Sequence, residues 1–253
     1  MSLNLPKRTV KPRTSGLTMV LEKGLPYSLF SEVVKTQHQK IDIIKFTSGI
    51  GIVDETIKEK IELCREYQII TYLGGTLFEK FYHQGKLPEY TEYLKALGLK
   101  AIEISDGTLK ISEKEKAALI KQYKDEGLLV LVEVGSKDTD FVMPPSVWLE
   151  QMDNALNAGA DYLVVEGRES ATAGLYRTSG EMRTGLLEEI IKEVDVERVL
   201  FEAPTKKSQC YLIEKISPNV NLANIPFFDV NILEVQRLGL RYDTFFVFEE
   251  KKL

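Results

Sequence analysis

Eight times along the chain a short apolar run is followed by an amphipathic stretch, and few folds accept that rhythm. The runs are "LTMVLE" (17–22), "IDIIKF" (41–46), "IITYLGG" (69–75), "KAIEIS" (100–105), "LLVLVEVG" (128–135), "DYLVVEG" (161–167), "RVLFEA" (198–203) and "NVNLANI" (219–225). They are rich in Val, Ile and Leu, as strands buried on both faces must be. The stretches between them carry helical spacing, as with Ile57, Ile61 and Cys64. Helix-start signals support the reading: Pro88 sits at one start, Ser112 with Glu115 forms a capping box ahead of Gly127, and Thr178 with Glu181 forms a second. Eight strand–helix units in 253 residues predict a single-domain α/β (β/α)8 TIM barrel. An open doubly wound sheet is the competing arrangement, but no Gly-rich turn follows the first run. Residues 17–241 form the barrel, 1–16 an N-terminal extension and 242–253 a tail. The tail is apolar enough to cover a barrel end or meet another copy, and a homo-oligomer is expected.

Charge narrows the function classes. The chain carries 33 Lys+Arg against 38 Asp+Glu, a net −5, with no strongly basic segment, so nucleic-acid binding is not expected. No apolar run approaches membrane-spanning length and no export signal opens the chain. Cys64 and Cys210 show no paired spacing and read as buried thiols, which fits a reducing cytoplasm. The two histidines, His38 and His83, have no partner at metal-ligand spacing.

What remains is a pattern at the strand ends. Four successive runs close on a glutamate: Glu103, Glu133, Glu166 and Glu202, which are 30, 33 and 36 residues apart. In a barrel those ends meet at the C-terminal mouth, where active sites of this fold sit. Alternation sets Lys45 on the same side of its strand as Ile41 and Ile43. Each glutamate could pair with Lys or Arg in a solvated rim. Four together repel one another unless a cation sits among them. Oxygen donors without His or Cys point to Mg2+ or Mn2+, which makes the four glutamates candidate metal ligands. Lys45, Lys137 and Arg168 suit an anionic substrate. A metal, a lysine and an arginine in one mouth suit chemistry through an enolate-like intermediate; a Schiff-base lysine at 45 or 137 is the chemical rival.

The stretches "KPRTSGLTMVL", "IDIIKF", "GGTLFEK", "IEISDGT", "EVGSKD", "EGRES", "FEAPTKK", "PNVNLANI" and "RLGLR" together resemble the phosphosulfolactate synthase family, in the family's order and over nearly the whole chain. The resemblance implies a lyase on a (β/α)8 barrel that adds sulfite to phosphoenolpyruvate with Mg2+, giving 2-phospho-3-sulfolactate, a first step of coenzyme M synthesis in methanogens. It implies Lys137, the lysine of "EVGSKD", as general acid, with Lys45 and Arg168 also catalytic and holding phosphate or sulfite. Asn221 and Asn224 become candidate substrate contacts, with Lys206 and Lys207 weaker ones. Topology puts "RTSG" (13–16) and "RLGLR" at the opposite face. The chain departs from the family at "TSGIG" (47–51), where Gly-Trp-Gly-Thr is usual, and in "RESATAG" (168–174), which is less glycine-rich. Those departures allow a changed substrate. The resemblance also extends to a non-catalytic, heat-stress-associated branch.

Overall fold

The computed structural model describes residues 3–136, 142–168 and 170–248. The eight runs become eight parallel strands: β1 (Thr18–Glu22), β2 (Ile43–Phe46), β3 (Ile70–Leu73), β4 (Ala101–Ile104), β5 (Leu129–Val134), β6 (Tyr162–Val165), β7 (Val199–Glu202) and β8 (Leu222–Pro226). Hydrogen-bonded neighbours follow the order β3-β2-β1-β8-β7-β6-β5-β4. β3 and β4 lie side by side and complete the ring without ladder hydrogen bonds. The expected TIM barrel is therefore present, closed on seven of its eight seams.

Alternation divides the apolar residues into two layers. Met19, Ile43, Tyr72, Ala101, Leu131, Val164, Leu200 and Ala223 fill the barrel interior. Their sequence neighbours, such as Val20, Ile44, Ile102, Val132 and Phe201, face the surrounding helices. β8 breaks the alternation. Its register against β1 shifts between Thr18 and Val20, and Asn224 takes a left-handed conformation (φ 55°). Ala223 thus stays inside while Ile225 joins the outer layer.

The helices start close to where the sequence signals put them. Pro88 lies in the first turn of Leu87–Leu97, and Ser112 Oγ accepts from Glu115 N at 3.3 Å ahead of Glu113–Asp125. The expectation at Thr178 and Glu181 is wrong. Residues 176–182 form a tight antiparallel bridge in which Arg177 N donates to Glu181 O and Gly180 adopts φ 80°, and the helix begins only at Thr184. Ser179-Gly180 favours a turn, and the turn uses the backbone groups that a cap would need. Cys64 is buried as expected; Cys210 is only half-buried, its Sγ accepting from Gln236 Nε2.

Basic residues close the N-terminal face. Arg13 clasps Asp42 through Nε and Nη2 at 2.9–3.1 Å, and Asp42 also accepts from Thr18 N. Arg237, fully buried, donates to the carbonyls of Leu17, Pro218 and Val220. "RTSG" and "RLGLR" therefore belong to this end, as their topology predicts. Near the mouth, on the outer side of β1, Lys60 is fully enclosed. Its ammonium donates to Glu22 Oε1 (3.1 Å), Leu25 O (2.6 Å) and Asp54 Oδ2 (2.6 Å). Both Glu22 oxygens also accept from the backbone, at Gly24 N and Leu25 N. One buried cation thus ties together the loops after β1 and β2.

Candidate active site

Two residues beyond the apolar interior, the strand alternation brings up polar side chains. Lys45 from β2 points into a ring of carboxylates. Its Nζ lies 2.9 Å from Glu103 Oε1, 3.7 Å from Glu202 Oε1 and 3.8 Å from Glu133 Oε2. All four groups are buried. Carboxylates taken out of water need hydrogen bonds as well as a counter-charge. Glu103 Oε2 accepts from Gly75 N (2.6 Å), Glu202 Oε2 from Gly167 N (2.9 Å), Glu133 Oε1 from Ser105 Oγ (2.8 Å) and Glu166 Oε1 from Arg168 N (2.5 Å). Burial by itself would lower the Lys45 pKa. Glu103 above all, then Tyr72, Glu202 and Glu133, outweigh it and hold the lysine well above its ordinary 10.5. Burial, then Glu103, push the Tyr72 hydroxyl well above 10; it donates to Met19 Sδ at 3.0 Å. The carboxylates around it thus favour the charged form of Lys45 at the base of the mouth.

Above it opens a cavity of about 510 Å³. Leu21, Lys45, Thr47, Ser48, Gly74, Gly75, Thr76, Glu133, Glu166, Arg168, Ser170, Glu202 and Asn224 line it. Arg168 is exposed there, while Glu166 is buried at the wall. The backbone is strained around this cavity. Five described residues other than glycine have positive φ, and Ser48 (49°), Arg168 (53°) and Asn224 (55°) among them line it; Ala171 (54°) lies in the same loop as Arg168. Left-handed residues with a Cβ persist where the surroundings demand them, and they gather at functional sites. The Arg168 loop is further held by Gly174, where a Cβ would come within 2.1 Å of Glu166 O.

The structure brings most of the expected residues together. Lys45, Arg168, Asn224, Glu133, Glu166 and Glu202 line one cavity. Glu103 lies beneath them, fully buried, gripping Lys45 and Gly75 N. Asn221 does not reach the mouth. It precedes β8 at the N-terminal face, where Oδ1 accepts from Leu17 N and Nδ2 donates to Glu197 O, both at 2.9 Å. Its amide is taken up by the backbone there, with Leu222 and Ala223 of the strand between it and Asn224. Lys206 pairs loosely with Asp229 and Lys207 lines a different cavity beside Tyr176. Lys137 lies outside the described residues.

The chemistry of the donor set bears on a metal. Among the described residues no three His, Cys, Asp or Glu side chains are grouped to hold an ion. The cation that the carboxylate ring demands is supplied by Lys45, so the set does not fit an all-carboxylate cage. It does fit Mg2+ held by one or two protein oxygens together with substrate oxygens. Asn224 Oδ1 is a buried amide oxygen with no hydrogen-bond partner among the described residues, on the wall shared with Glu166 and Glu202. The hydroxyls of Thr47, Ser48 and Thr76 at the cavity, and Ser105 behind Glu133, carried no signal in the sequence beyond their place next to strand ends.

Residues 6–243 match the sequence profile of (2R)-phospho-3-sulfolactate synthase (ComA). The chain is 44% identical to the phosphosulfolactate synthase of Bacillus subtilis (strain 168), with 97% of this chain and 98% of that protein covered. It is 43% identical to the phosphosulfolactate synthase of Methanocaldococcus jannaschii, over 91% of this chain and 94% of that one. Among solved structures, the YdjI aldolase from Escherichia coli K12 superposes with a TM-score of 0.57 at 13% identity, covering 88% of this chain and 86% of that one, which is a likeness of fold. No helix among the described residues is long and apolar enough to cross a membrane.

Proposed function

The chain belongs to the phosphosulfolactate synthase family, and on that premise we propose that it adds sulfite to phosphoenolpyruvate to give 2-phospho-3-sulfolactate. The observation that carries the reading is the gathering of Lys45, Arg168, Asn224 and three strand-end glutamates around one cavity. In the reaction the sulfite lone pair forms a carbon–sulfur bond at the methylene carbon. The electron pair of the double bond moves toward the substrate carboxylate, and a proton is then delivered to C2.

Three negatively charged groups must be held against each other and against the glutamates. Lys45 supplies a fixed charge where electron density accumulates, which is the kind of preorganised stabilisation that accelerates such steps. Its raised pKa makes it a poor proton donor near neutrality. The family resemblance of "EVGSKD" assigns the proton to C2 to its lysine, Lys137. Arg168, exposed at the rim, is assigned the phosphate, which a guanidinium can grip through two parallel bonds. Asn224 would meet the substrate or its cation through its buried amide. One or two of Glu166, Glu202 and Asn224 would hold Mg2+, which when bound would neutralise substrate oxygens as a Lewis acid. The exposed aromatic residues Tyr242 and Phe246 support the assembly of copies into a homo-oligomer.

Purified protein incubated with phosphoenolpyruvate, sulfite and Mg2+ should consume phosphoenolpyruvate only when sulfite is present, and EDTA should stop it. Absence of turnover would sink the reaction assignment. Turnover indifferent to EDTA would remove the metal, and full activity in Lys137→Ala would remove the proton donor.

A further inference from the structure

A second set of polar groups backs the mouth without lining it. Glu79 stands on the helix Gly75–His83, which follows β3, and its side chain is 2% exposed. Its Oε1 lies 2.6 Å from Ser105 Oγ and its Oε2 accepts from Thr108 N at 2.8 Å. Ser105, just past β4 and fully buried, also places Oγ 2.8 Å from Glu133 Oε1. The other oxygen of Glu133 faces Lys45. A chain of contacts therefore runs from the segment after β3, through the end of β4, to the carboxylate at the end of β5. It crosses the one seam of the barrel that no ladder hydrogen bonds hold. The close approach of helix and strand end that permits it depends on Gly75, where a Cβ would come within 2.4 Å of Ser105 Cβ.

We propose that Glu79 and Ser105 are positioning residues that set the Glu133 carboxylate against Lys45 and the cavity across the β3–β4 seam. A carboxylate on a strand end keeps rotamer freedom unless something fixes it. Ser105 Oγ lies within hydrogen-bond reach of one oxygen of Glu133 and one of Glu79, itself fixed at Thr108 N, and its single hydrogen goes to one of the two carboxylates at a time. A hydroxyl offers one hydrogen and accepts at its lone pairs. Glutamine at 79 can accept from Thr108 N with its oxygen and donate from its nitrogen to Ser105, leaving the serine hydrogen for Glu133. Hydrogen-bonding geometry at 79 is therefore what the position requires, and alanine removes it.

The inference rests on the proposed reaction for its kinetic consequences but has a readout of its own. Displacing a reacting group on the order of 1 Å can cost about 100-fold in rate. In the wild-type assay background, Glu79→Ala and Ser105→Ala should lower kcat at least about tenfold with the KM for phosphoenolpyruvate within about threefold, while Glu79→Gln stays within about threefold of wild type in both. Crystal structures of the two alanine variants should show the Glu133 carboxylate turned away from its wild-type place. Wild-type kcat in the alanine variants, or Glu79→Gln as impaired as Glu79→Ala, would overturn the positioning role. An unmoved Glu133 would overturn it even if the wild type shows no turnover, the result that counts against the reaction itself. The isosteric Glu79→Gln and unfolding midpoints for every variant separate misfolding from lost positioning.

Discussion

Replacing Lys60 by methionine tests how the loops around the mouth are anchored. The side chain is fully buried and its ammonium meets two carboxylates and a carbonyl. Methionine fills a similar apolar volume, so the loss is chiefly electrostatic. Asp54 keeps some contact with solvent and also holds Thr56, so it has other partners. Glu22 has no such exit: its side chain is 0% exposed. Removing one partner of a buried pair costs about 3–5 kcal/mol, because the other charge stays behind. The two backbone N–H groups on Glu22 place the expectation at the lower end, about 3 kcal/mol. For a domain near this size that corresponds to a fall of roughly 6–12 °C in the melting midpoint. Urea unfolding of wild type, Lys60→Met, Glu22→Gln and the double variant gives the coupling directly. Glutamine can still accept a backbone bond without carrying charge, so the double variant should be more stable than additivity predicts, by about 1–2 kcal/mol. A Lys60→Met loss under about 1 kcal/mol, or losses that simply add, would refute the claim that Lys60 neutralises Glu22 in the fold.

Two further outcomes follow from the charges and amides described. Lys45 has a folded-state pKa above its unfolded value, so its stabilisation is fully present below the unfolded value of about 10.4 and is lost only as pH rises through the higher folded one. The stability gap between wild type and Lys45→Met should therefore stay flat from about pH 6 to 9 and narrow only at more alkaline pH. A gap that closes between neutrality and pH 9 would show that the glutamates do not hold the charge. Asn221→Ala should cost about 1–3 kcal/mol by leaving Leu17 N and Glu197 O unpaired, with the KM for phosphoenolpyruvate unchanged; a raised KM would return Asn221 to the substrate.

The barrel was readable from the sequence because parallel strands buried on both faces leave runs such as "IDIIKF" and "LLVLVEVG" that little else explains. The glutamates were readable for a related reason: a polar residue at the end of an apolar run, repeated at the length of one βα unit, implies a common face. Repulsion among the glutamates pointed to a cation in their midst, which the sequence reading took to be a metal ion. Strand parity had already placed Lys45 in the same layer, and the lysine fills that place. Asn221 and Asn224 could not be told apart, since the left-handed residue that breaks the β8 alternation leaves no mark when it is an asparagine rather than a glycine. The turn at Thr178–Glu181 failed likewise, because a capping box and a Ser-Gly turn share residues and only tertiary contacts choose between them. Glu79 and Ser105 were passed over because their part depends on the approach of a helix to a strand end 26 residues away.

The left-handed residues at the mouth have an evolutionary consequence. At Ser48, Arg168 and Asn224 glycine would satisfy the backbone at lower cost, since a Cβ in that conformation costs on the order of 1 kcal/mol. A lineage released from the reaction would thus find at these three codons changes that make the protein hardier while emptying the cavity of a hydroxyl, a guanidinium and an amide. On the proposed function, stability and activity would be opposed at these single positions.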